Sequence, residues 1–340
     1  LWHLIITTGW SQKLEIAPAP LAGGFSAERL KVLDTRLNEW VEKGWMQGGT
    51  ALVARNGKIV YHKAVGYNDL EAKVPMKKDD IFRIASQTKA ITSVAIMVLF
   101  EEGKLLLDDP VSKYLPAFRK QQVLATFNEI DTTYTTVPAK SEITIRQLLT
   151  HTSGLGYAQI GSKEANAIYA KASLTAGIGV VGDDLLSAMN RLGKLPLMHQ
   201  PGERWTYGLN TDLLGCLVEQ IAGKTLDQFF KEKIFEPLGM KDTHFHLPAA
   251  KANRLVKLYR ELPGGKLEKS AGNMLNGRTI TPDYPLEGST YYSGGAGLSS
   301  TIEDYAIFLQ MLLNGGIYNG KRVLGRNTVD MMITNQIGEV

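Results

Sequence analysis

Apolar and polar residues follow two different spacings in the first part of the chain. In "SAERLKVLDTRLNEWVEKGW", which starts at Ser26, apolar residues recur every three or four positions behind a capping serine. This pattern predicts an amphipathic helix. The following "TALVARNGKIVYHKAVGYND" has two β-rich runs around Asn56-Gly57, a pair that strongly favours a tight hairpin. A helix followed by a β-hairpin is therefore predicted.

The long middle of the chain carries mostly helical patterns. An apolar run from Ser86 predicts a helix that ends at Gly103, and "ITIRQLLTHTSGL" predicts a short helix stopped by its Thr-Ser-Gly. Helical patterns continue from Ser162 to Leu195, and two further helices follow the aromatic loop of "QPGERWTYGLN". A last helix is capped by Thr301 and ended by glycines.

This order predicts a mixed α/β (α+β) fold, in which an antiparallel sheet flanked by helices carries an inserted all-helical domain. We assign residues 25–80 and 288–340 to the α/β domain and residues 81–287 to the helical domain. Residues 1–24 form a separate arm.

The arm carries the only indication of location. "LWHLIITTGWSQ" is apolar, ends in small and polar residues, and precedes a Pro/Ala-rich stretch. It resembles the end of a secretory signal, which predicts a secreted or periplasmic protein; an irregular N-terminal arm is the alternative. No later stretch has about 18 uninterrupted apolar residues, so no membrane span is predicted.

Composition excludes some classes of protein. The 340 residues are 44% hydrophobic and 21% charged, with a formal net charge of +4, which is ordinary for a globular protein. Basic residues alternate with acidic ones, as in "KKDD", so we expect no nucleic-acid partner. The single cysteine, Cys216, excludes an intramolecular disulfide and lies in an apolar run.

Several short motifs carry little weight. "GIGVVG", residues 177–182, matches a dinucleotide fingerprint but follows a helix-like stretch, so a loop before a helix capped by Asp183 is favoured. His244 and His246 share one face of a strand, without a third ligand at metal spacing. The G-x-S-x-G nucleophile elbow is absent. We therefore expect no metal and no cofactor.

Ser86 and Lys89, in "SQTK", form the strongest candidate for chemistry. Residues three apart share a helix face, so the serine hydroxyl and the lysine amine can approach each other. The helix dipole favours negative charge at the serine, and apolar neighbours favour a neutral lysine that can accept a proton. The alternative is that Ser86 caps the helix while Lys89 points into solvent.

Tyr207, in "RWTYGLN", is a candidate second base. It follows a Pro-Gly turn, and its phenol can act as a base only where a nearby cation stabilises the phenolate. Lys89 could supply that charge. The alternative is an amphipathic tyrosine that packs beside Trp205.

Five segments in order resemble the serine β-lactamase-like superfamily, which contains class C β-lactamases, D-alanyl-D-alanine carboxypeptidases and family VIII carboxylesterases. They are "SQTK", "LLTHTSGL", "PGERWTYGLNTDLLG", "IFEPLGMKDT" and "GGAGLSSTIEDYAIF". The resemblance covers residues 25 to 335 and implies an active site at the junction of the two domains. It implies Ser86 as acylated nucleophile, Lys89 as motif lysine and Tyr207 as second-motif tyrosine.

Two departures bear on the substrate. The lactamase and peptidase pattern is Tyr-x-Asn, but Leu209 stands two residues after Tyr207, which makes the chain more similar to the esterases. The family's third motif is expected beyond Val340, with the closing strands of the sheet. "SGG", Ser293 to Gly295, is a possible stand-in for it.

The sequence thus predicts a serine hydrolase that works through a covalent acyl-enzyme, with small or short-acyl esters as substrates. A β-lactamase or D-alanyl-D-alanine carboxypeptidase, and an inactive or truncated ligand-binding homologue, are the alternatives. His151 is expected to brace its loop, with a catalytic base as the alternative. The residues assigned to substrate binding or to the oxyanion are Ser86, Gln87, His151, Trp205, Leu209, Ser293, Gly294 and Gly295.

Overall fold

The computed structural model describes residues 13–174, 177–180, 182–275 and 278–340. The apolar stretch that suggests a secretory signal lies at residues 1–12, outside this range, as does residue 181 of the "GIGVVG" motif.

The helices and strands are numbered in chain order. The helices are α1 (Ala27–Glu42), α2 (Thr88–Glu101), α3 (Ile145–Leu149), α4 (Lys163–Lys171), α5 (Leu185–Leu192), α6 (Asn210–Ala222), α7 (Leu226–Phe230), α8 (Glu236–Leu238), α9 (Ile302–Leu313) and α10 (Arg326–Met332). The strands are β1 (Glu15–Ile16), β2 (Gly48–Arg55), β3 (Lys58–Asp69), β4 (Val74–Pro75), β5 (Phe82–Arg83), β6 (Gln122–Phe127), β7 (Tyr134–Pro138), β8 (Tyr259–Glu261), β9 (Leu267–Lys269), β10 (Asn273–Leu275), β11 (Arg278–Ile280), β12 (Ser299–Ser300), β13 (Ile317–Tyr318) and β14 (Lys321–Arg322).

The predicted hairpin around Asn56-Gly57 is confirmed. β2 and β3 pair antiparallel, and both turn residues have positive φ, 50° and 72°, as a type I′ turn requires. β1 adds to β3 in parallel, which gives the order β1-β3-β2, and β4 pairs with the far end of β3.

Residues 81–287, the segment predicted to be the helical domain, contain α2 to α8 and, within the described residues, three antiparallel strand pairs: β6–β7, β8–β9 and β10–β11. The mixed α/β fold class is confirmed, and this segment is helix-rich, with hairpins in addition to its helices. The helix after the "GIGVVG" loop is capped by Asp184, whose side chain accepts from the backbone N–H of Ser187, and not by Asp183.

The core lies where α2 packs against α6. Nine of the fourteen residues of α2 are buried, and α6 buries nine of its thirteen, including Cys216. Among the described residues, no helix combines the length and apolar character needed to cross a membrane. Burial of both helices on nearly all sides fixes the residues at their N-terminal ends, where the candidate site lies.

A short β-bridge attaches the Ser86 segment to a distant part of the chain. β5 pairs antiparallel with β12, with Arg83 opposite Ser299, and the Ile84 N–H donates to the Leu298 carbonyl at 3.0 Å. This pairing brings residues 293–298 next to the start of α2.

The helix that leads to His151 begins with a capping box. The Thr144 hydroxyl accepts from the Gln147 N–H at 3.2 Å, and the Gln147 side chain accepts from the Thr144 N–H at 3.0 Å. We expect Thr144→Ala to lower the free energy of unfolding by about 1 kcal/mol, because the Gln147 N–H loses the hydroxyl that accepts its hydrogen bond. Chemical denaturation measures this, with Thr144→Ser as the matched control that keeps the hydroxyl. Equal stability of the alanine and serine variants would contradict the assignment.

Candidate active site

Ser86 lies in a single 3-10 turn, Ala85–Gln87, immediately before α2. Ala85 has a positive φ of 43°, a conformation that non-glycine residues rarely adopt and that is found preferentially at functional sites. The cap of α2 is Gln87, without a side-chain hydrogen bond, so the interpretation of Ser86 as the helix cap is wrong. The Ser86 residue is exposed, at the helix end whose free N–H groups favour negative charge.

The structure brings together the three residues that the sequence singled out. Ser86 Oγ lies 2.8 Å from Tyr207 Oη, and Lys89 Nζ donates to Ser86 Oγ at 3.2 Å. Lys89 Nζ also donates to the Gly295 carbonyl at 2.7 Å and lies 4.9 Å from the centre of the Tyr207 ring. The alternative in which Lys89 points into solvent is therefore wrong.

The surroundings of Tyr207 lower the pKa of its phenol below the usual value of 10. Partial burial raises this pKa, but hydrogen bonds with Lys89 and Ser86 and the positive charge of Lys89 together outweigh the burial. A phenol with a lowered pKa is a better proton carrier near neutral pH, because both of its protonation states are easier to reach.

Two aromatic rings hold the Tyr207 ring in place. Tyr157 stacks on it with centroids 5.6 Å apart, and His151 with centroids 5.4 Å apart. Asn210 Nδ2 donates to His151 Nδ1 at 2.9 Å, which places the imidazole proton on Nε2. Burial, helped by the charge of Lys89, lowers the pKa of His151 to about 4, so the ring is neutral at pH 7. This arrangement matches the expected bracing role.

A buried carboxylate lies behind Lys89. Asp212, in the first turn of α6, accepts from Ser293 Oγ at 2.6 Å and from the Gly295 N–H at 3.3 Å. Its other oxygen, Oδ2, has no hydrogen-bond partner among the described residues. Burial raises the pKa of Asp212, while its contacts with Ser293 and Lys89 act in the opposite direction. Asp212 therefore orients the carbonyl that binds Lys89.

Ser86 and Tyr207 open into a cavity of about 450 Å³. Much of its wall is apolar, from Ile160, Ile178, Leu258, Ile280 and Pro282. Ala296 lines it, whereas Ser293, Gly294 and Gly295 are buried behind it. The "SGG" segment therefore positions Lys89 in this structure and does not line the cavity as a substitute third motif would.

The other residues assigned to substrate binding have different places. Leu209 is fully buried in the core, so its assignment to substrate binding is wrong. Asn210 does not replace it, because its amide is bonded to His151 and to Ser153. Trp205 is half-exposed beside the rings of His151 and Tyr207. Gln87 is exposed, and its carbonyl accepts from Tyr305 Oη at 3.1 Å.

Within the part of the chain that the structure describes, no group of three or more His, Cys, Asp or Glu side chains is arranged to hold a metal ion. His246, one of the two histidines considered for metal binding, has its Nε2 2.9 Å from the Ser289 carbonyl.

Comparisons with known proteins identify the family of this chain. Residues 33–336 match the family model described as Beta-lactamase. The chain belongs to the beta-lactamase family. The resemblance drawn from the five ordered motifs is thereby confirmed.

Three relatives illustrate the range of this family. The chain is 35% identical over 302 residues to Protein Rv1367c of Mycobacterium tuberculosis, covering 88% of this chain and 71% of that protein. It is 34% identical over 279 residues to Esterase EstB of Burkholderia gladioli, covering 80% and 67%. The solved structure of EstCE1, a hydrolase with promiscuous acyltransferase activity, superposes with a TM-score of 0.75 at 28% identity, covering 88% of this chain and 75% of that one.

The sequence analysis missed five residues of this beta-lactamase-family site: Arg83, Tyr157, Gln159, Asp212 and Tyr284. Asp212 stands in the "WTYGLNTDLLG" segment that supported the resemblance, and Tyr157 follows "HTSGLG", so both had a local signal. Arg83 precedes Ser86 by three residues, but nothing in a sequence indicates that Tyr284 reaches the same cavity.

The lowered pKa of Tyr207 is testable by nuclear magnetic resonance with carbon-labelled tyrosine. We expect the Tyr207 ring to titrate below pH 10, and we expect its signal to be identified by its loss in Tyr207→Phe. In Lys89→Met its pKa should rise, because the burial that opposes ionisation is then no longer offset by a cation. Tyr318→Phe is the matched control, since burial raises the pKa of Tyr318. An unchanged pKa in Lys89→Met would contradict the assignment.

Proposed function

We propose that the chain is a carboxylesterase that hydrolyses small esters through an acyl-enzyme on Ser86. The observation that carries the proposal is the contact of Ser86 Oγ with both Tyr207 Oη (2.8 Å) and Lys89 Nζ (3.2 Å) beside an apolar cavity. A serine hydroxyl needs an adjacent base to become a nucleophile, and this pair supplies one.

The first half of the reaction forms the ester bond to the enzyme. Tyr207, as a phenolate stabilised by the Lys89 ammonium, takes the proton of Ser86, and Oγ attacks the ester carbonyl carbon. The Ser86 N–H, at the N-terminal end of α2, stabilises the negative charge on the carbonyl oxygen. The tetrahedral intermediate then collapses, the bond to the alkoxy oxygen breaks, and Tyr207 gives its proton to the leaving alcohol.

The second half returns the enzyme to its starting state. The tyrosine oxygen takes a proton from a water molecule, the hydroxide attacks the acyl carbonyl, and Ser86 leaves with the proton that Tyr207 returns. Tyr207 carries the transferred proton in both halves, from Ser86 to the leaving alcohol and then from water to Ser86, and Lys89 keeps the tyrosine oxygen able to accept and release it.

Esters are favoured over β-lactams and peptides by the polar groups near Tyr207. The amide that binds a substrate amide in lactamases and peptidases has no equivalent among the side chains at this position, because Leu209 is buried and Asn210 is fully bonded. The similarity to EstB, which is named an esterase, and to EstCE1, which is described as a hydrolase with promiscuous acyltransferase activity, supports the same choice.

The nucleophile assignment has a direct test. We expect purified protein to hydrolyse p-nitrophenyl butyrate and Ser86→Ala to lower kcat/KM by about 1000-fold or more, since the covalent route is lost. A fluorophosphonate probe should add one label per chain, read by intact mass, in the parent protein and in the control Ser141→Ala, but not in Ser86→Ala. Labelling without ester turnover would indicate another acyl substrate. Absence of both would support the non-catalytic ligand-binding alternative.

The position of Leu209 gives a second prediction. Leu209→Asn restores the family's Tyr-x-Asn pattern, but the new amide would lie in the core and not in the cavity. We expect it to lower the free energy of unfolding by about 3 kcal/mol or more, because apolar contacts are lost and a polar group is buried. Nitrocefin hydrolysis should not increase. Leu209→Met is the volume-matched control, and a gain of lactam turnover in the stable asparagine variant would refute the interpretation.

A further inference from the structure

The cavity beside Ser86 has an unusual set of polar atoms in its wall. Arg83 Nε, Gln159 Nε2 and Tyr284 Oη each lack a hydrogen-bond partner among the described residues, and all three residues line this cavity. Each of these atoms is a hydrogen-bond donor. Because native interiors rarely leave a buried donor unpaired, three around one cavity indicate a missing acceptor.

The charge of the cavity points to an anionic acceptor. Arg83 is the only charged side chain among the described lining residues, and its side chain is 8% exposed. Asp283, the nearest carboxylate, lies 3.8 Å away, is half-exposed and also faces Lys257 at 3.7 Å. Asp283 is thus shared between two cations, and among the described residues the guanidinium of Arg83 has no carboxylate within hydrogen-bond distance.

Two of the three donor residues, Arg83 and Tyr284, are held in the wall of the cavity by contacts with each other and with the backbone. The guanidinium of Arg83 donates to the carbonyls of Val256 and Pro282, which ties the segment before Ser86 to the distal wall. Its carbon lies 5.8 Å from the centre of the Tyr284 ring. Burial raises the pKa of Tyr284 to about 12, so its hydroxyl stays a donor at neutral pH. A wall held in this way presents preformed donors to a ligand.

We propose that the ester held in this cavity carries a free carboxylate, which is bound by Arg83, Gln159 and Tyr284. The proposal rests on the ester hydrolysis proposed above and names the class of substrate. A carboxylate accepts several hydrogen bonds at once and balances the buried guanidinium, whereas a simple alkyl ester leaves all three donors unpaired.

The carboxylate can belong to either side of the ester. Ser86 lines the cavity, so an acyl chain attached to it could extend along the wall to Arg83. The leaving alcohol could carry the carboxylate instead. The chemistry recognised is the same in both cases, and separate substrates distinguish the two sources.

Binding is tested without catalysis in the Ser86→Ala protein. Calorimetry compares monomethyl adipate, which carries one carboxylate, with dimethyl adipate, which has the same chain and no charge. We expect the monoester to bind at least about tenfold more tightly, since a charged acceptor pairs with donors that are otherwise unsatisfied.

Two further variants assign this preference to the cavity. Tyr284→Phe and Gln159→Leu, each added to Ser86→Ala, should each weaken monoester binding by about tenfold and change diester binding by less than about twofold. Both changes remove an unpaired donor, so the fold should be retained. Tyr134→Phe and Arg119→Gln, at exposed positions, are the matched controls. Equal binding of the two adipates, parallel changes in both, or binding of neither at about 10 mM overturns the proposal.

Substrate pairs then identify the source of the carboxylate in the active protein. p-Nitrophenyl monoadipate against p-nitrophenyl hexanoate tests the acyl side, and the butyrate ester of hydroxyhexanoic acid against hexyl butyrate tests the alcohol side. The side on which the carboxylate raises kcat/KM is the side bound by Arg83. Hydrolysis without preference for a carboxylate overturns this inference and leaves the esterase proposal standing. Tight monoester binding without any ester hydrolysis supports this inference and overturns the esterase proposal.

Discussion

The candidate site depends on the place of one ammonium group. Lys89 Nζ donates to a carbonyl from residues 293–297 and to Ser86 Oγ, and it lies over the ring of Tyr207. Three parts of the chain that are distant in sequence thus contact the same ammonium group. The β5–β12 pairing and the packing of α2 against α6 make this meeting possible, because they fix the segments that carry the three partners. These contacts keep the Lys89 ammonium beside the Tyr207 phenol.

Asp212, which is buried in the core, binds the backbone N–H of Gly295, the residue whose carbonyl binds Lys89. A Cβ on Gly295 would lie 2.6 Å from Asp212 Oδ2, so only glycine allows the backbone to approach the carboxylate this closely. The carbonyl of Gly295 accepts a hydrogen bond from Lys89 Nζ. The buried carboxylate also adds a negative charge that opposes ionisation of Tyr207 and is opposed by Lys89. These two charges act on the phenol in addition to its burial and to its hydrogen bonds with Lys89 and Ser86.

Local patterns predicted the elements and the reacting groups, and long-range packing decided the rest. The Asn56-Gly57 turn, the helix after Ser86 and the approach of Ser86 to Lys89 follow from spacing over a few residues. The burial of Leu209 could not be predicted, because it depends on how the loop after Tyr207 enters α6. The unpaired donors of Arg83, Gln159 and Tyr284 were equally hidden, since they come from positions up to about 200 residues apart that only the folded chain brings to one cavity.

The neutral state of His151 follows mainly from its burial, with a smaller effect of the Lys89 charge. Its ring lies against Tyr207 and is lowered in pKa by burial and by Lys89, so the site holds one cation near the phenol rather than two. A second cation would stabilise the phenolate further and weaken it as a base, since a group whose pKa lies far below the working pH accepts protons poorly. The hydrogen bond from Asn210 to Nδ1 favours the neutral tautomer as well, because a protonated Nδ1 could not accept it. The neutral, stacked histidine thus fixes the orientation of the Tyr207 ring and adds no second positive charge beside its phenol.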